Sequence, residues 1–274
     1  MKQFRQFFSF LAILIAAISV GNLAKAGPPA VSDIRLISEK TAVGESREVI
    51  LGVHIKLETG WKTYWRTPGD SGIPPQFDWS KSRNIENAQI EWPKPYAFDT
   101  FGLQTWGYKD EVVFPVRVTL KSTGQPIEAN LQIFFGVCEQ VCIPINQTIQ
   151  MQLPSGHPEM TPDAALLKQY RTAVPRPLQS TENMTISASS NASLNVAFIS
   201  PMPLDSPALI LEGEEGDVFT VSSARIGPSG QSATFEIAAD LVNRALPLSG
   251  RSVTATLLDK SIAVESQVTI QHDK

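Results

Sequence analysis

The chain holds two cysteines, Cys138 and Cys142, and both lie in one short stretch, residues 134–144. Residues 131–137 are apolar and aromatic, which favours a buried β-strand. After Cys142, apolar and polar side chains alternate over residues 145–153, which predicts a second strand with one buried face. We therefore expect the cysteines where one strand ends and its neighbour begins, close enough to form a disulfide.

A disulfide this local has either a structural or a redox role. A bridge that closes a loop of about five residues stabilises a protein by only about 2 kcal/mol in the chain-entropy model, against about 4 to 5 kcal/mol for a loop of about 100 residues. A disulfide placed for stability would join distant segments. The spacing therefore favours a redox pair that opens and closes, with a structural disulfide as the alternative.

Metal binding is a further alternative for the two cysteines. Tetrahedral zinc needs four protein ligands, or three and a water molecule, and the three histidines, His54, His157 and His272, are scattered along the chain. We therefore expect neither a zinc site nor a cofactor. A Cu(I) ion held by the two thiolates stays open as a hypothesis.

The residues around the cysteines indicate how the pair would react. Glu139 disfavours a nearby thiolate by like-charge repulsion, and residues 134–144 contain no Lys, Arg or His to offset it. This composition suits a disulfide that is attacked by a partner's thiolate better than it suits a strong nucleophile.

The N-terminal residues have the pattern of a secretory signal peptide, residues 1–26. Lys2 and Arg5 precede an apolar run, residues 7–20, and Ala-Lys-Ala at 24–26 is a cleavage site of the A-x-A type. The apolar run is shorter than the about 20 residues that a membrane-spanning helix needs. We expect cleavage, export to the periplasm, where disulfides persist, and no stable membrane insertion afterwards.

The 274-residue chain has a formal net charge of −4, and loss of the basic signal peptide would make it more acidic. An acidic chain argues against nucleic acid and anionic membranes as partners.

Alternating apolar patterns predict an all-β protein with two domains. Residues 27–153 form the first β domain, and residues 183–274 have the short strands and frequent turns of a second, smaller β-sandwich. The proline-rich residues 154–182 predict a linker with a short helix, capped by Thr161 and ending near Ala173.

All five tryptophans lie between Trp61 and Trp106, in a stretch that we interpret as loop-rich and aromatic. Such a density is typical of core filling. The alternative is an aromatic rim around the cysteines, which would shield a disulfide or bind a partner.

Several separate motifs occur together in the order found in a known family. They are GWKTYWRTPGDSG (60–72), WPKP (92–95), FG followed by GY (101–102 and 107–108), FPV (114–116) and GVCEQVCIP (136–144). Over about residues 30–155 the chain resembles the N-terminal periplasmic domain of the DsbD/ScsB family of thiol–disulfide reductases, with the ScsB-like branch closer.

This resemblance implies an immunoglobulin-like sandwich in residues 27–153 and a redox role for Cys138 and Cys142. The pair would accept electrons from a thioredoxin-like protein and pass them to periplasmic partner proteins. The full-length reductases continue into a membrane domain and a thioredoxin-like domain, and this chain stops at Lys274 with neither. We therefore expect another protein to supply the electrons, and whether the chain is itself a protein-disulfide reductase stays open.

The resemblance also implies a flexible aromatic cap over the pair and a tyrosine close to it. The matching cap residues are Phe98, Phe101, Trp106 and Tyr108, with Phe101 the best candidate for the shielding ring, and the matching near-site residue is Tyr64. The alternative functions are a Cu(I)-handling module and a structural or binding β-sandwich with a local disulfide.

Overall fold

A computed structural model describes residues 30–100, 102–190, 192–242 and 247–272, and within these ranges the chain forms twenty strands and one helix. The predicted signal peptide, residues 1–26, lies outside the described residues, as does Phe101. Within the described ranges, no helix has the length and apolarity that crossing a membrane would require. The predicted all-β class is confirmed.

The first sandwich consists of ten strands in two sheets. These strands are β1 (Val31–Ser38), β2 (Glu48–Leu57), β3 (Lys62–Gly69), β4 (Gln76–Asp78), β5 (Ile85–Ile90), β6 (Tyr96–Thr100), β7 (Leu103–Lys109), β8 (Glu111–Leu120), β9 (Ile127–Cys138) and β10 (Cys142–Leu153). One sheet has the order β1-β2-β8-β5, and the other has the order β10-β9-β3-β7-β6, with β4 also paired to β9. The stretch between β2 and β8, which the sequence analysis interpreted as loop-rich, therefore contains five strands.

The core of the first sandwich lies between the facing sides of these two sheets. Every second residue of β9 is buried there, because successive side chains of a strand point to opposite faces. These residues are Ile127, Ala129, Leu131, Ile133, Phe135 and Val137. Phe114 on β8 closes the core with edge-on ring contacts to Phe77, Trp92 and Tyr108.

The second sandwich follows in chain order and also has ten strands in two sheets. These strands are β11 (Arg176–Pro177), β12 (Asn183–Ser190), β13 (Ser193–Ile199), β14 (Ala208–Glu212), β15 (Val218–Val221), β16 (Arg225–Ile226), β17 (Ser232–Asp240), β18 (Ser252–Leu258), β19 (Ala263–Thr269) and β20 (Gln271–His272). Their orders are β11-β19-β18-β14 and β15-β17-β13-β12-β20, with β16 paired to β17. A separate apolar cluster fills this sandwich.

The helix α1 (Ala164–Thr172) lies against the first sandwich. Its Leu167 packs with Ile37 of β1 and Val113 of β8. A Cβ atom at Gly52 would lie 2.8 Å from Cδ1 of Leu167, so the glycine leaves the space that the helix needs. The side of the sheet away from the main core is thereby covered.

The predicted short helix is present, but its predicted cap is wrong. The N-cap residue is Asp163, which makes no side-chain capping hydrogen bond. Its carboxylate accepts two hydrogen bonds of 2.9 Å from the guanidinium of Arg35 on β1, and the Thr161 hydroxyl donates to the carbonyl of Ser38. Both side chains therefore contact the first sandwich. We propose that residues 159–173 belong physically to that sandwich, while the boundaries predicted at residues 153 and 182 stay predictions.

The two sandwiches contact each other through an apolar cluster and an ionic one. Ile210 and Leu258 of the second sandwich join the core cluster of the first. Beside them, Arg66 on β3 donates hydrogen bonds of 2.9, 3.2 and 2.6 Å to the carboxylate of Glu212 and also bonds Glu265. One guanidinium therefore forms ion pairs with two carboxylates of the other sandwich.

We expect Arg66→Gln to weaken the contact between the sandwiches. The three side chains are only 19 to 31% exposed, and removing the cation leaves two carboxylates facing each other. Breaking a fully buried pair costs about 3 to 5 kcal/mol, so this partly exposed one should cost roughly 1 to 3 kcal/mol of unfolding free energy. Urea unfolding measures the loss, and small-angle X-ray scattering measures the freedom of the two sandwiches.

The matched control is Arg225→Gln. Arg225 pairs with Glu236 at 2.7 Å, but the two side chains are 76% and 61% exposed, so its loss should have little effect on stability. Equal losses in the two variants would contradict a specific role for Arg66.

Candidate functional site

The two cysteines lie at the turn end of the hairpin formed by β9 and β10, where β9 ends and β10 begins. They are direct cross-strand partners, their Cα atoms are 4.2 Å apart, and they form a disulfide. The expectation that the pair sits where one strand ends and its neighbour begins is confirmed. The three residues between them, 139–141, make the turn.

The two sulfurs have unequal surroundings. Cys138 is only 2% exposed, whereas Cys142 and the turn residues 139–141 are exposed. Val141 at the tip is 65% exposed. An incoming thiolate needs access along the axis of the S–S bond, and the exposure favours attack on Cys142, with Cys138 as the sulfur that leaves.

Strand pairing places the disulfide in a row of residues across the sheet. Cys142 pairs with Cys138, Cys138 pairs with Lys62 of β3, and Lys62 pairs with Lys109 of β7. Cross-strand partners share one face of a sheet. This face is the outer one, because the residues next to Cys138 and Lys62 in their strands, Val137 and Thr63, are buried on the core side.

Tyr64 lies on the same outer face and contacts the disulfide. Its hydroxyl donates a hydrogen bond of 3.4 Å to Sγ of Cys142, since a disulfide sulfur carries no proton. Burial raises the pKa of Tyr64 above its usual value, so the hydroxyl stays a donor at neutral pH. The predicted near-site tyrosine is thus beside the pair.

A glycine-containing loop holds the Tyr64 ring. Gly72, with φ of 128°, runs so close to the ring that a Cβ there would lie 2.4 Å from Cε1 of Tyr64. Ile73 follows and packs against Gly136 of β9, where a Cβ would lie 2.7 Å from Cβ of Ile73. The loop therefore fixes the ring against the strand that ends at Cys138.

Lys62 is a residue of this site that the sequence analysis missed. Its ammonium lies 5.3 Å from the ring centroid of Phe98, a cation–π distance. Partial burial lowers the pKa of Lys62. The motif around the cysteines contains no basic residue, but strand pairing brings this one next to Cys138.

The four predicted cap residues lie in different places. Phe98 of β6 is partly buried on the outer face, with the pair. Phe101 is outside the described residues. Trp106 and Tyr108 of β7 face the core of the first sandwich, and the Tyr108 hydroxyl donates a hydrogen bond of 2.7 Å to the carbonyl of Pro93. The shielding role stays a prediction for all four.

Comparison with known proteins agrees with the motifs. Residues 35–154 match the family described as thiol:disulfide interchange protein DsbD, N-terminal, and residues 173–273 match a domain of unknown function, DUF8393. No curated protein sequence matches the chain.

Among solved structures, the crystal structure of the N-terminal periplasmic domain of ScsB from Proteus mirabilis has a similar fold. The TM-score is 0.69 at 22% sequence identity, and the similarity covers 87% of this chain and 92% of that one. It therefore extends over both sandwiches. The predicted fold, an immunoglobulin-like sandwich followed by a second one, is confirmed.

We expect Tyr64→Phe to shift the pair toward the disulfide. A hydrogen bond to a charged group contributes about 1.5 to 3 kcal/mol, and Tyr64 can donate one to the Cys142 thiolate of the reduced state. Without the hydroxyl, the equilibrium with glutathione should shift by roughly tenfold, since about 1.4 kcal/mol corresponds to a factor of ten. Alkylation of free thiols at defined glutathione ratios measures the shift.

Tyr108→Phe is the control, because it also removes a hydroxyl but on the core side of the sheet. It should lower the melting temperature and leave the glutathione equilibrium unchanged. The interpretation of Tyr64 fails if both variants shift the equilibrium equally, or if Tyr64→Phe leaves it unchanged.

Proposed function

We propose that the protein is a periplasmic thiol–disulfide exchange protein that relays electrons through Cys138 and Cys142, because residues 35–154 match the DsbD N-terminal family. The observation that carries the proposal is the disulfide between neighbouring strands, with one sulfur at an exposed residue and the other buried. A structural bridge gains little from closing so short a loop. A redox pair needs an accessible sulfur, and Cys142 provides one.

Electron transfer to the pair takes two steps. A thiolate of the donor attacks Sγ of Cys142, the S–S bond breaks, and Cys138 leaves with the bonding electrons as a thiolate. The donor's second thiolate then attacks the donor sulfur of the mixed disulfide and releases Cys142 as a thiolate. The donor is oxidised by two electrons and the pair is reduced by two.

Tyr64 acts in the second step. Its hydroxyl, 3.4 Å from Sγ of Cys142 in the disulfide, donates to the thiolate that forms on that sulfur. The reduced pair then passes its electrons to an oxidised partner protein by the same steps in reverse.

The partners are thioredoxin-like proteins on the donor side and periplasmic proteins with disulfides on the acceptor side. The family description of residues 35–154 supports the exchange chemistry. The similar fold of the N-terminal periplasmic domain of ScsB from Proteus mirabilis supports the compartment, together with the signal-peptide pattern of residues 1–26. Neither nucleic acid nor a membrane is part of this proposal.

The cap of this proposal is the β6–β7 hairpin. Phe98 is placed to shield the pair, because it lies on the outer face and contacts the ammonium of Lys62, the cross-strand partner of Cys138. Phe101, which lies between these two strands in the sequence, is the second shielding candidate. Trp106 and Tyr108 anchor the hairpin to the core from the other face.

A mixed disulfide tests the exchange. With a periplasmic thioredoxin-like protein whose second cysteine is replaced and whose remaining cysteine is activated as a disulfide with thionitrobenzoate, the Cys142 thiolate of the variant Cys138→Ser should displace thionitrobenzoate and accumulate a covalent complex that dithiothreitol releases. Cys142→Ser should accumulate far less, because Cys138 is buried. Non-reducing electrophoresis followed by mass spectrometry measures both.

Two other outcomes would reject the exchange function. A reduction potential below about −300 mV, without a mixed disulfide in either variant, would favour a structural disulfide. Tight Cu(I) binding by the reduced protein, lost in both variants and again without a mixed disulfide, would favour the metal-handling alternative.

We expect Phe98→Ala to speed the reaction of the disulfide with glutathione. A small side chain uncovers the outer face, and the loss of stability should stay below the roughly 3 to 5 kcal/mol of an emptied core phenylalanine site. Phe101→Ala should have the same effect. Stopped-flow measurement of thiol release gives the rate, and urea unfolding gives the stability.

Phe77→Ala is the matched control, because Phe77 packs against Trp92 and Phe114. It should destabilise the protein and leave the rate unchanged. If Phe98→Ala behaves like Phe77→Ala, then Phe98 is a packing residue and the cap proposal is wrong.

A further inference from the structure

The row of residues Cys142, Cys138, Lys62 and Lys109 places two cations at different distances from one buried sulfur. Adjacent strands are about 4.8 Å apart. Lys62 is therefore one strand from Cys138, and Lys109 is two strands away. Lys109 is exposed, whereas Lys62 is partly buried.

Opening of the disulfide puts a negative charge on a sulfur that water reaches poorly. Cys138 is 2% exposed, so solvent does little to stabilise its thiolate. The nearest acidic group in the sequence, Glu139, opposes that charge. The ionisable groups that pairing and contacts place around Cys138 are Lys62 and Tyr64 on β3, Lys109 on β7 and Glu139 in the turn.

Of these four groups, Lys62 is the one suited to stabilise the Cys138 thiolate. The Tyr64 hydroxyl is directed to Cys142, and Lys109 is farther away and in contact with water. The ammonium of Lys62 rests 5.3 Å from the Phe98 ring centroid while the disulfide is closed. Its flexible four-carbon stem allows it to turn from the ring toward a charged sulfur.

We propose that Lys62 is a positioning residue that supplies the countercharge for the Cys138 thiolate, the leaving group when a partner attacks Cys142. The inference rests on the proposed exchange function. In the step concerned, the partner thiolate forms a bond to Sγ of Cys142, the S–S bond breaks, and both bonding electrons go to Sγ of Cys138. No proton moves, and the ammonium stabilises the new charge as an ion pair.

The first test measures how much of the Cys138 thiol is ionised at neutral pH. All proteins in this test carry Cys142→Ser, so that Cys138 is the only cysteine. The ultraviolet absorbance of its thiolate is compared between the protein with Lys62 unchanged and the variants Lys62→Gln, Lys62→Arg and Lys109→Gln. An opposite charge within about 4 to 6 Å changes thiol ionisation by about one pKa unit or more, so Lys62→Gln should lower the ionised-to-neutral ratio by about tenfold. Lys62→Arg should retain it, and Lys109→Gln should change it little.

The second test uses the protein with both cysteines. Lys62→Gln should slow opening of the disulfide by glutathione and shift the glutathione equilibrium toward the disulfide, while Lys109→Gln should do neither. Circular dichroism and the melting temperature show whether each variant is folded. If Lys62→Gln does not fold, Lys62→Arg still tests the proposal, because it keeps the positive charge and should keep the reaction rate and the equilibrium.

Equal losses of ionisation in Lys62→Gln and Lys109→Gln would assign the effect to general surface charge and overturn the proposal. So would full ionisation in Lys62→Gln. Neither measurement uses a protein partner. If no thioredoxin-like protein forms a mixed disulfide, the exchange function fails, while the thiolate fraction and the glutathione equilibrium still decide the role of Lys62.

Discussion

The pairing of β9 with β10 is the interaction on which the site depends. The two strands pair residue by residue from Cys138 and Cys142 at one end to Ile127 and Leu153 at the other. Because side chains alternate between faces, a slip of one residue would turn the whole apolar face of β9 away from the core. Burial of that face therefore favours this register, and the short turn between the two strands is consistent with it, so the two cysteines lie opposite each other.

The same alternation decides which residues can act on the disulfide. Cys138 ends β9 on the outer face, and β3 brings Lys62 and Tyr64 to that face in neighbouring positions. Trp106 and Tyr108, which follow the outer residues of β7 by one position, face the core. The aromatic rings of the β6–β7 hairpin are thus divided between its two faces. Trp106 and Tyr108 pack into the core, and Phe98 on the outer face lies near the disulfide.

The sequence predicts the strands whose apolar residues alternate regularly. The hairpin of β9 and β10 and the strands β2 and β8 are of this kind, and so is the placement of Cys138 and Cys142. Strand β3 was missed because aromatic residues occupy both of its faces and it is irregular between Tyr64 and Gly69. Strands β4, β5 and β6 are short, with three, six and five residues, and β7 was interpreted as part of the same aromatic stretch. Lys62 was missed because it lies beside Cys138 only through the pairing of β3 with β9, two strands that are distant in the sequence.

Predictions made from neighbouring residues in the sequence were also wrong in places. Thr161 before Pro162 has the pattern of a helix cap, but its hydroxyl bonds the carbonyl of Ser38. Local sequence favours the cap, but the helix begins after Asp163, so Thr161 does not occupy the N-cap position. The motif around the cysteines likewise contains no basic residue, although the folded site has one. The residues next to the cysteines in the sequence therefore predict the turn correctly, but they do not predict the positive charge that Lys62 brings close to the sulfurs.

Strand β3 connects these features to the second sandwich. Its first residues, Lys62 and Tyr64, face the disulfide, and a few positions later the guanidinium of Arg66 lies 4.2 Å from the Trp65 ring centroid and binds Glu212 and Glu265. Trp65 is fully buried, so β3 is held on the core side by its ring and at its irregular part by carboxylates of the other sandwich. A strand restrained at both places holds the backbone of Lys62 and Tyr64 beside the sulfurs, while the long side chain of Lys62 stays able to turn. The second sandwich contains no cysteine, and Glu212 and Glu265 are its contacts with the strand beside the pair.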